Sequence, residues 1–128
     1  MSVSKERIED LLERLLVAWR DQDIDTVMSL FTEDCIYKSS VGPEPGETCQ
    51  GQKQVRGLVE KMFRVDDGSE ASIGNLIVGT EQTAAWKWRY RFNDGRVEYG
   101  CDFFEFRDGK IAQKDAYRKV AVPPKKNL

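Results

Sequence analysis

The chain has 128 residues, with 20 Lys and Arg against 22 Asp and Glu for a formal net charge of −2; 40% of its residues are apolar, 33% are charged and none is histidine. A chain of this length buries one core, and its slightly acidic balance argues against bulk binding to nucleic acid or anionic membrane, which needs a basic footprint. The missing imidazole excludes Ser-His-Asp triads, Cys-His dyads, His-ligated zinc and histidine-based dehydration, which leaves carboxylate, lysine, tyrosine and cysteine chemistry.

Ile8, Leu11, Leu12, Leu15, Leu16 and Trp19 fall on one helix face, with Ser4 as N-cap and Glu6 in the first turn. A second, shorter helix opens at Asp23, whose side chain caps it, and carries Ile24, Val27, Met28 and Phe31 toward the same core. Cys35 to Ser39 reads as a short strand, and Val41 to Gly51, with Pro43, Pro45 and three glycines, as a loop. A third helix is expected over Gln52 to Arg64, where Val55, Leu58, Val59, Met62 and Phe63 keep helical spacing.

After the polar stretch Asp66 to Glu70 the period changes to two, most clearly in Trp86-Lys-Trp-Arg-Tyr-Arg-Phe92. Asn93-Asp94-Gly95 and Arg107-Asp108-Gly109 read as hairpin turns. Helices followed by a four-stranded meander make an α+β pattern, with residues 1–122 as one domain and Pro123 to Leu128 as a loose tail. Cys35, Cys49 and Cys101 are odd in number and lack zinc or disulfide spacing, so reduced thiols are expected. The first residues have no leader pattern and no apolar run approaches the ~18 residues of a membrane span, so a cytoplasmic protein is expected.

The order of Trp19-Arg-Asp-Gln-Asp-Ile-Asp25, Leu30-Phe31-Thr-Glu-Asp34, Gly42-Pro-Glu-Pro45 and Asp102-Phe-Phe-Glu-Phe106 running into Arg107-Asp-Gly-Lys-Ile111 resembles the nuclear transport factor 2-like, or ketosteroid isomerase-like, domains, which include the SnoaL-like polyketide cyclases. The resemblance spans nearly the whole chain. It implies a cystatin-like α+β fold: a cone-shaped roll of three N-terminal helices packed on a curved mixed, mainly antiparallel sheet. It further implies a homodimer through the sheet face and a mostly apolar pocket at the open end of the cone.

The family's activities are tested position by position. Steroid isomerases place a base Asp where this chain has Ser39, an oxyanion-stabilising Tyr where it has Leu15, and a protonated Asp at the position of Asp102. A serine hydroxyl without histidine does not abstract a proton near neutral pH, so ordinary steroid isomerisation is not expected. Polyketide cyclases and limonene epoxide hydrolase keep a late-strand Asp that falls here on Ala116, with Asp115 one residue earlier and therefore on the opposite face.

Asp102 is the leading candidate, and its role depends on hairpin register. If Asn93-Asp94-Gly95 is a three-residue loop, Asp102 shares a face with Trp86, Trp88, Tyr90 and Phe92, where desolvation favours a neutral acid or hydrogen-bond donor. If the loop is Asp94-Gly95 alone, Asp102 falls beside Lys87, Arg89 and Arg91 as a surface ion pair. The family comparison favours the first register, and similar arithmetic at the next hairpin sets Lys114 across from Asp102, where an ion pair would keep the carboxylate charged.

The same comparison turns Tyr37 and Ser39 inward, makes Tyr37 the helper of Asp102, and gives the pocket walls to Trp19, Met62, Trp88, Tyr90 and Phe104; each of these aromatics has an alternative as plain core. Arg118 either binds an anionic substituent or lies at the exposed end of its strand. The basic residues Lys87, Arg89 and Arg91 point away from the aromatic set, which argues against a nucleic-acid stacking platform, and are expected to meet Glu98 and Glu105 across the sheet or a dimer partner.

Two functions follow as expectations. One is a pocket for a small hydrophobic molecule with a carbonyl or hydroxyl group, with Asp102 and Tyr37 as catalytic residues in proton transfer needing no metal or cofactor. The other is a non-catalytic dimeric ligand-binding or interaction module.

Overall fold

The computed structural model describes residues 5–43, 45–65, 70–80 and 82–120. Helix α1 (Lys5–Arg20) buries Ile8, Leu11, Leu12, Leu15 and Ala18, the stripe its spacing demands. Helix α2 (Ile24–Ser29) is capped by Asp23, whose carboxylate accepts from the Thr26 N–H at 3.2 Å and the Thr26 hydroxyl at 2.6 Å. Helix α3 (Gly51–Val65) buries Val55, Leu58, Val59 and Phe63. The Ser4 cap, most of the Asp66 to Glu70 stretch and the tail from Pro123 lie outside the described residues.

Six strands form one curved, mixed sheet: β1 (Phe31–Lys38), β2 (Thr48–Gln50), β3 (Glu70–Thr80), β4 (Thr83–Arg91), β5 (Val97–Arg107) and β6 (Lys110–Arg118), in the order β2-β1-β6-β5-β4-β3. The last four make the antiparallel meander, β1 runs parallel to β6, and β2 is antiparallel to β1. Leu12, Leu15, Val27, Val55 and Val59 from the helices pack with Phe31, Phe104 and Ile111 from the sheet, all nearly or fully excluded from water. This core closes one end of the sheet's inner face.

Three details differ from the sequence reading. The first strand starts at Phe31 rather than Cys35 and stops before Ser39. The Ile111 N–H donates to the Leu30 carbonyl at 2.8 Å, and Gln52 Nε2 lies 3.0–3.2 Å from the carbonyls of Met28, Phe31 and Thr32. Backbone partners thus end the helix even though Phe31 continues its apolar spacing. The loop from Val41 to Gly51 contains β2, three residues held by pairing Cys49 with Tyr37; a strand that short has no alternation to read.

The third difference is in the register of β5 with β6, while β4 and β5 pair in the register the family comparison favoured. The β4–β5 hairpin is the three-residue form: the Phe92 N–H donates to the Arg96 carbonyl, Gly95 has φ +90°, and Trp86 pairs with Asp102. The β5–β6 loop is two residues, Asp108 and Gly109, at φ +54° and +74°. A bulge at Ala112 follows, since Phe106 pairs with Ile111 but Glu105 with Gln113. Lys114 therefore pairs with Phe104, and Ala116, not Lys114, stands across from Asp102.

Candidate active site

The inner face of the meander beyond the core carries Trp86, Trp88 and Tyr90 of β4, Asp102 of β5, and Lys114, Ala116 and Arg118 of β6, which alternate inward as strand residues must. With Leu15, Leu16 and Trp19 of α1, Tyr37 of β1, Met62 of α3 and Ile73 of β3 they line a cavity of about 90 Å³ that opens to solvent. Gly100 makes this packing possible. A Cβ there would lie 2.1 Å from Trp88 Cζ2 and 2.3 Å from the Tyr117 carbonyl oxygen, so only a glycine lets the Trp88 indole cross β5 toward Asp102.

Asp102 is 4% exposed. Its Oδ2 accepts from Trp86 Nε1 at 2.7 Å and its Oδ1 from Trp88 Nε1 at 3.1 Å. Lys114 Nζ lies 3.9 Å from Oδ2, an ion pair at longer range than a hydrogen bond. The polar contacts of Asp102 are two N–H donors and a cation, the surrounding of a hydrogen-bond acceptor. The acid role expected from an aromatic pocket does not fit this surrounding, because the aromatic rings present their N–H edges to it.

The Lys114 ammonium is as deeply buried as its partner. It donates to the Tyr37 hydroxyl at 3.0 Å and sits over two rings, 4.2 Å from the centroid of Trp19 and 4.7 Å from that of Tyr37. Burial pulls its pKa down, but the Asp102 carboxylate, followed by Tyr37 and Tyr90, outweighs that, and the net direction is up. Burial raises the Tyr37 phenol in spite of the adjacent ammonium. Lys114 is thus charged and Tyr37 neutral at physiological pH. The Tyr37 hydroxyl donates to the Met62 thioether, a weak acceptor, at 3.7 Å.

Arg118 lies nearer the mouth, its guanidinium carbon 5.0 Å from the centroid of the Trp88 ring and its Nη1 donating to Glu98 at 2.6 Å. Glu98 is therefore on the inner face, where it also lies 3.6 Å from Arg96, and it does not meet the outward residues Lys87, Arg89 and Arg91. Those pair with Cys101, Tyr99 and Val97, because the three-residue loop sets Glu98 opposite the inward Tyr90; Glu105 lies opposite Thr83.

Of the residues picked out in the sequence, Asp102, Tyr37, Trp19, Met62, Trp88, Tyr90 and Lys114 meet at this cavity. Two do not. Ser39 is buried, its hydroxyl taken by the Val41 N–H at 3.1 Å in the turn after β1, and Ser40 reaches the cavity instead. Phe104 is core, edge-on to Trp86 and stacked on Phe106. Trp86 was readable as a neighbour of Asp102 from the period-two run but not as its ligand. Among the described residues no group of three or more His, Cys, Asp or Glu could hold a metal ion, and no helix is long and apolar enough to cross a membrane.

A small α+β cone with a polar array on an apolar inner wall defines a class of protein, and the comparisons agree with it. A solved NTF2-like protein of unknown function from Mesorhizobium loti is similar over 94% of this chain and 100% of its own, at 19% identity and TM-score 0.79. A candidate ketosteroid isomerase from Kribbella flavida is similar over 93% of this chain and 82% of its own, at 17% identity and TM-score 0.79. A candidate polyketide cyclase from Sinorhizobium meliloti matches over 84% and 93%, at 17% identity and TM-score 0.73. The fold is the cystatin-like one, as in a solved protein from Methylobium petroleophilum. The SnoaL-like domain matches residues 12–114, and the chain belongs to that family. No functionally curated protein matches the sequence.

Proposed function

We propose that this chain is a small-molecule pocket protein whose ligand is hydrophobic and presents a carbonyl or hydroxyl oxygen to Lys114 and Tyr37. The observation that carries the reading is the buried ammonium. It has one hydrogen bond, to Tyr37, and stands 3.9 Å from its counter-ion, so donor capacity remains at the cavity wall. A ligand oxygen is a better acceptor for the Tyr37 proton than the Met62 sulfur.

The chemistry such an array serves is proton transfer without metal or cofactor. A C–H bond beside the ligand carbonyl breaks, its proton goes to an Asp102 oxygen, and the electron pair moves to the carbonyl oxygen, where Lys114 and Tyr37 stabilise the charge. Asp102 is base and acceptor in this scheme, not acid. Isothermal titration with 2-naphthol, a stable mimic of an enol, tests the binding step. Proton exchange at the α-carbon of 2-tetralone in D₂O, followed by NMR, tests the reaction. Saturable naphthol binding that Lys114→Met abolishes supports the pocket; the absence of binding in the native chain overturns it. Binding without accelerated exchange assigns the protein to the non-catalytic reading, which is favoured by one observation: both Asp102 oxygens are already held by indoles.

The outer sheet face serves a second copy of the chain in this reading. Phe103 and Tyr117 form an edge-on pair 5.6 Å apart there, and with Tyr99 each is about half exposed. Lys87, Arg89 and Arg91 flank these rings on β4, while Glu105 and Asp115 stand on β5 and β6. A two-fold pairing sets the basic strand of one copy toward the acidic side of the other. Light scattering tests it, with a dimer expected for the native chain and a monomer for Phe103→Glu; a monomeric native chain at tens of micromolar removes the proposal.

A further inference from the structure

Arg118, a residue of the cavity wall, carries a donor with nothing to donate to. Arg118 Nε is buried and has no hydrogen-bond partner, the sole such side-chain nitrogen or oxygen among the described residues. A buried N–H without an acceptor is costly, and native structures rarely keep one that nothing fills. The rest of this side chain has partners: Nη1 donates to Glu98 and the guanidinium carbon lies 5.0 Å from the centroid of the Trp88 ring. The edge left over, Nε with Nη2, is the one that arginine presents side-on to a carboxylate with two parallel hydrogen bonds.

Charge points the same way. The cavity wall carries Lys114 and Arg118 against one carboxylate, Asp102, and Glu98 is shared between Arg118 and Arg96. A monoanion would balance the wall. Lys114, Ala116 and Arg118 take the same face of β6, so the two cations stand about 13 Å apart at their Cα atoms, four residues at about 3.3 Å each. The small side chain of Ala116 leaves the space between them open, and Trp88, Tyr90 and Ile73 wall it with apolar surface. The deep ammonium is a poorer seat for a full anion, since a second carboxylate beside Asp102 would repel it.

We infer that the ligand is an amphiphilic monocarboxylic acid, its carboxylate held by the Nε–Nη2 edge of Arg118 at the mouth and its carbonyl or hydroxyl oxygen lying inward at Lys114 and Tyr37. This rests on the reading of the cavity as a ligand pocket. An unreactive anion-binding edge at this place makes Arg118 a specificity residue: it touches the ligand far from the atoms that would react.

Isothermal titration of the native chain with 2-naphthol, 6-hydroxy-2-naphthoic acid and the methyl ester of that acid separates the two readings. The acid is expected to bind at least tenfold tighter than the ester, with the ratio shrinking as salt is raised. In Arg118→Met the acid-to-ester ratio is expected to fall to about one, and Arg118→Lys, which keeps the charge but not the fork, to lie between. Equal binding of acid and ester by the native chain overturns the inference and leaves the pocket standing. So does an acid preference that survives in Arg118→Met. If Arg118→Met does not fold, the acid-to-ester ratio of the native chain and its salt dependence decide. Failure of all three compounds to bind overturns the pocket reading itself, and the inference falls with it.

Discussion

Two carboxylate–cation pairs stand on the inner face of β5 and β6, four residues apart on each strand, and they are built on opposite plans. Asp102 and Lys114 are 6–7% exposed at their side chains, yet 3.9 Å separates them. Glu98 and Arg118 are about a quarter exposed and meet at 2.6 Å. In the deep pair the carboxylate is occupied by two indole N–H groups, and the ammonium turns to a phenol and two ring faces. In the outer pair the ions are satisfied by each other and one guanidinium edge is left over. The teaching is that burial alone does not decide how tightly an ion pair closes; the other polar groups around it do. The deep pair is a structural commitment, and the outer pair is an adjustable one.

Asp102→Leu breaks the comparison most severely. It strands an ammonium and two indole N–H groups in an apolar wall, for an expected loss of about 3–5 kcal/mol in urea unfolding. The double variant Asp102→Leu/Lys114→Met is expected to lose clearly less than the sum of the singles, and additive losses would show that the two ions do not interact. Gly100→Ala comes next: its Cβ collides with Trp88 and with backbone, for an expected loss of about 1–3 kcal/mol, and a neutral result would mean that the indole does not cross β5.

The deep pair also predicts a pH signature. Lys114 is raised in the fold, so its contribution is complete below its unfolded pKa of about 10.4 and is lost as pH climbs through the higher folded value. Tyr37 is raised as well; the unfolded chain gives up that proton first, so the sign is the same. Stability is expected to be level through neutral pH and to fall above about pH 10, less steeply in Lys114→Met. A native chain whose stability is flat to pH 11.5 would contradict this. The smallest effect belongs to the outer pair, where Glu98→Gln is expected to cost under about 1 kcal/mol because water screens it; a loss as large as that of Asp102→Leu would erase the distinction between the two.

The deep pair was nearly legible in the sequence and the outer pair was not. Period two from Trp86 to Phe92, with the turn at Asn93-Asp94-Gly95, fixes Asp102 among the tryptophans once the loop is known to be three residues long. Lys114 was assigned to the right face but to the wrong partner, since the two-residue Asp108-Gly109 turn and the bulge at Ala112 each shift the pairing by one residue in the same direction, which restores the face but moves the partner by two. Bulges leave no periodic trace. The donors around Asp102 were not legible for a related reason: strand register sets tryptophans beside it, and only geometry says that their N–H edges face it. Glu98 was expected to meet the basic set of Lys87, Arg89 and Arg91, whereas its pairing with Tyr90 puts it on the inner face, where Arg118 and Arg96 bind it. The helices were readable because a 3.6-residue stripe is long and redundant, while β2 rests on pairing alone.

All three tryptophans of this chain stand in the wall of one cavity: Trp19 against the ammonium, Trp86 and Trp88 on the carboxylate. Their emission is consequently a report on that site. Filling the cavity, protonating its carboxylate or stripping its ammonium each changes the polarity and charge felt by an indole, with no distant fluorophore to dilute the signal. The protein carries its own optical probe, and the unlabelled chain under red-edge excitation is sufficient to screen a library of ligands.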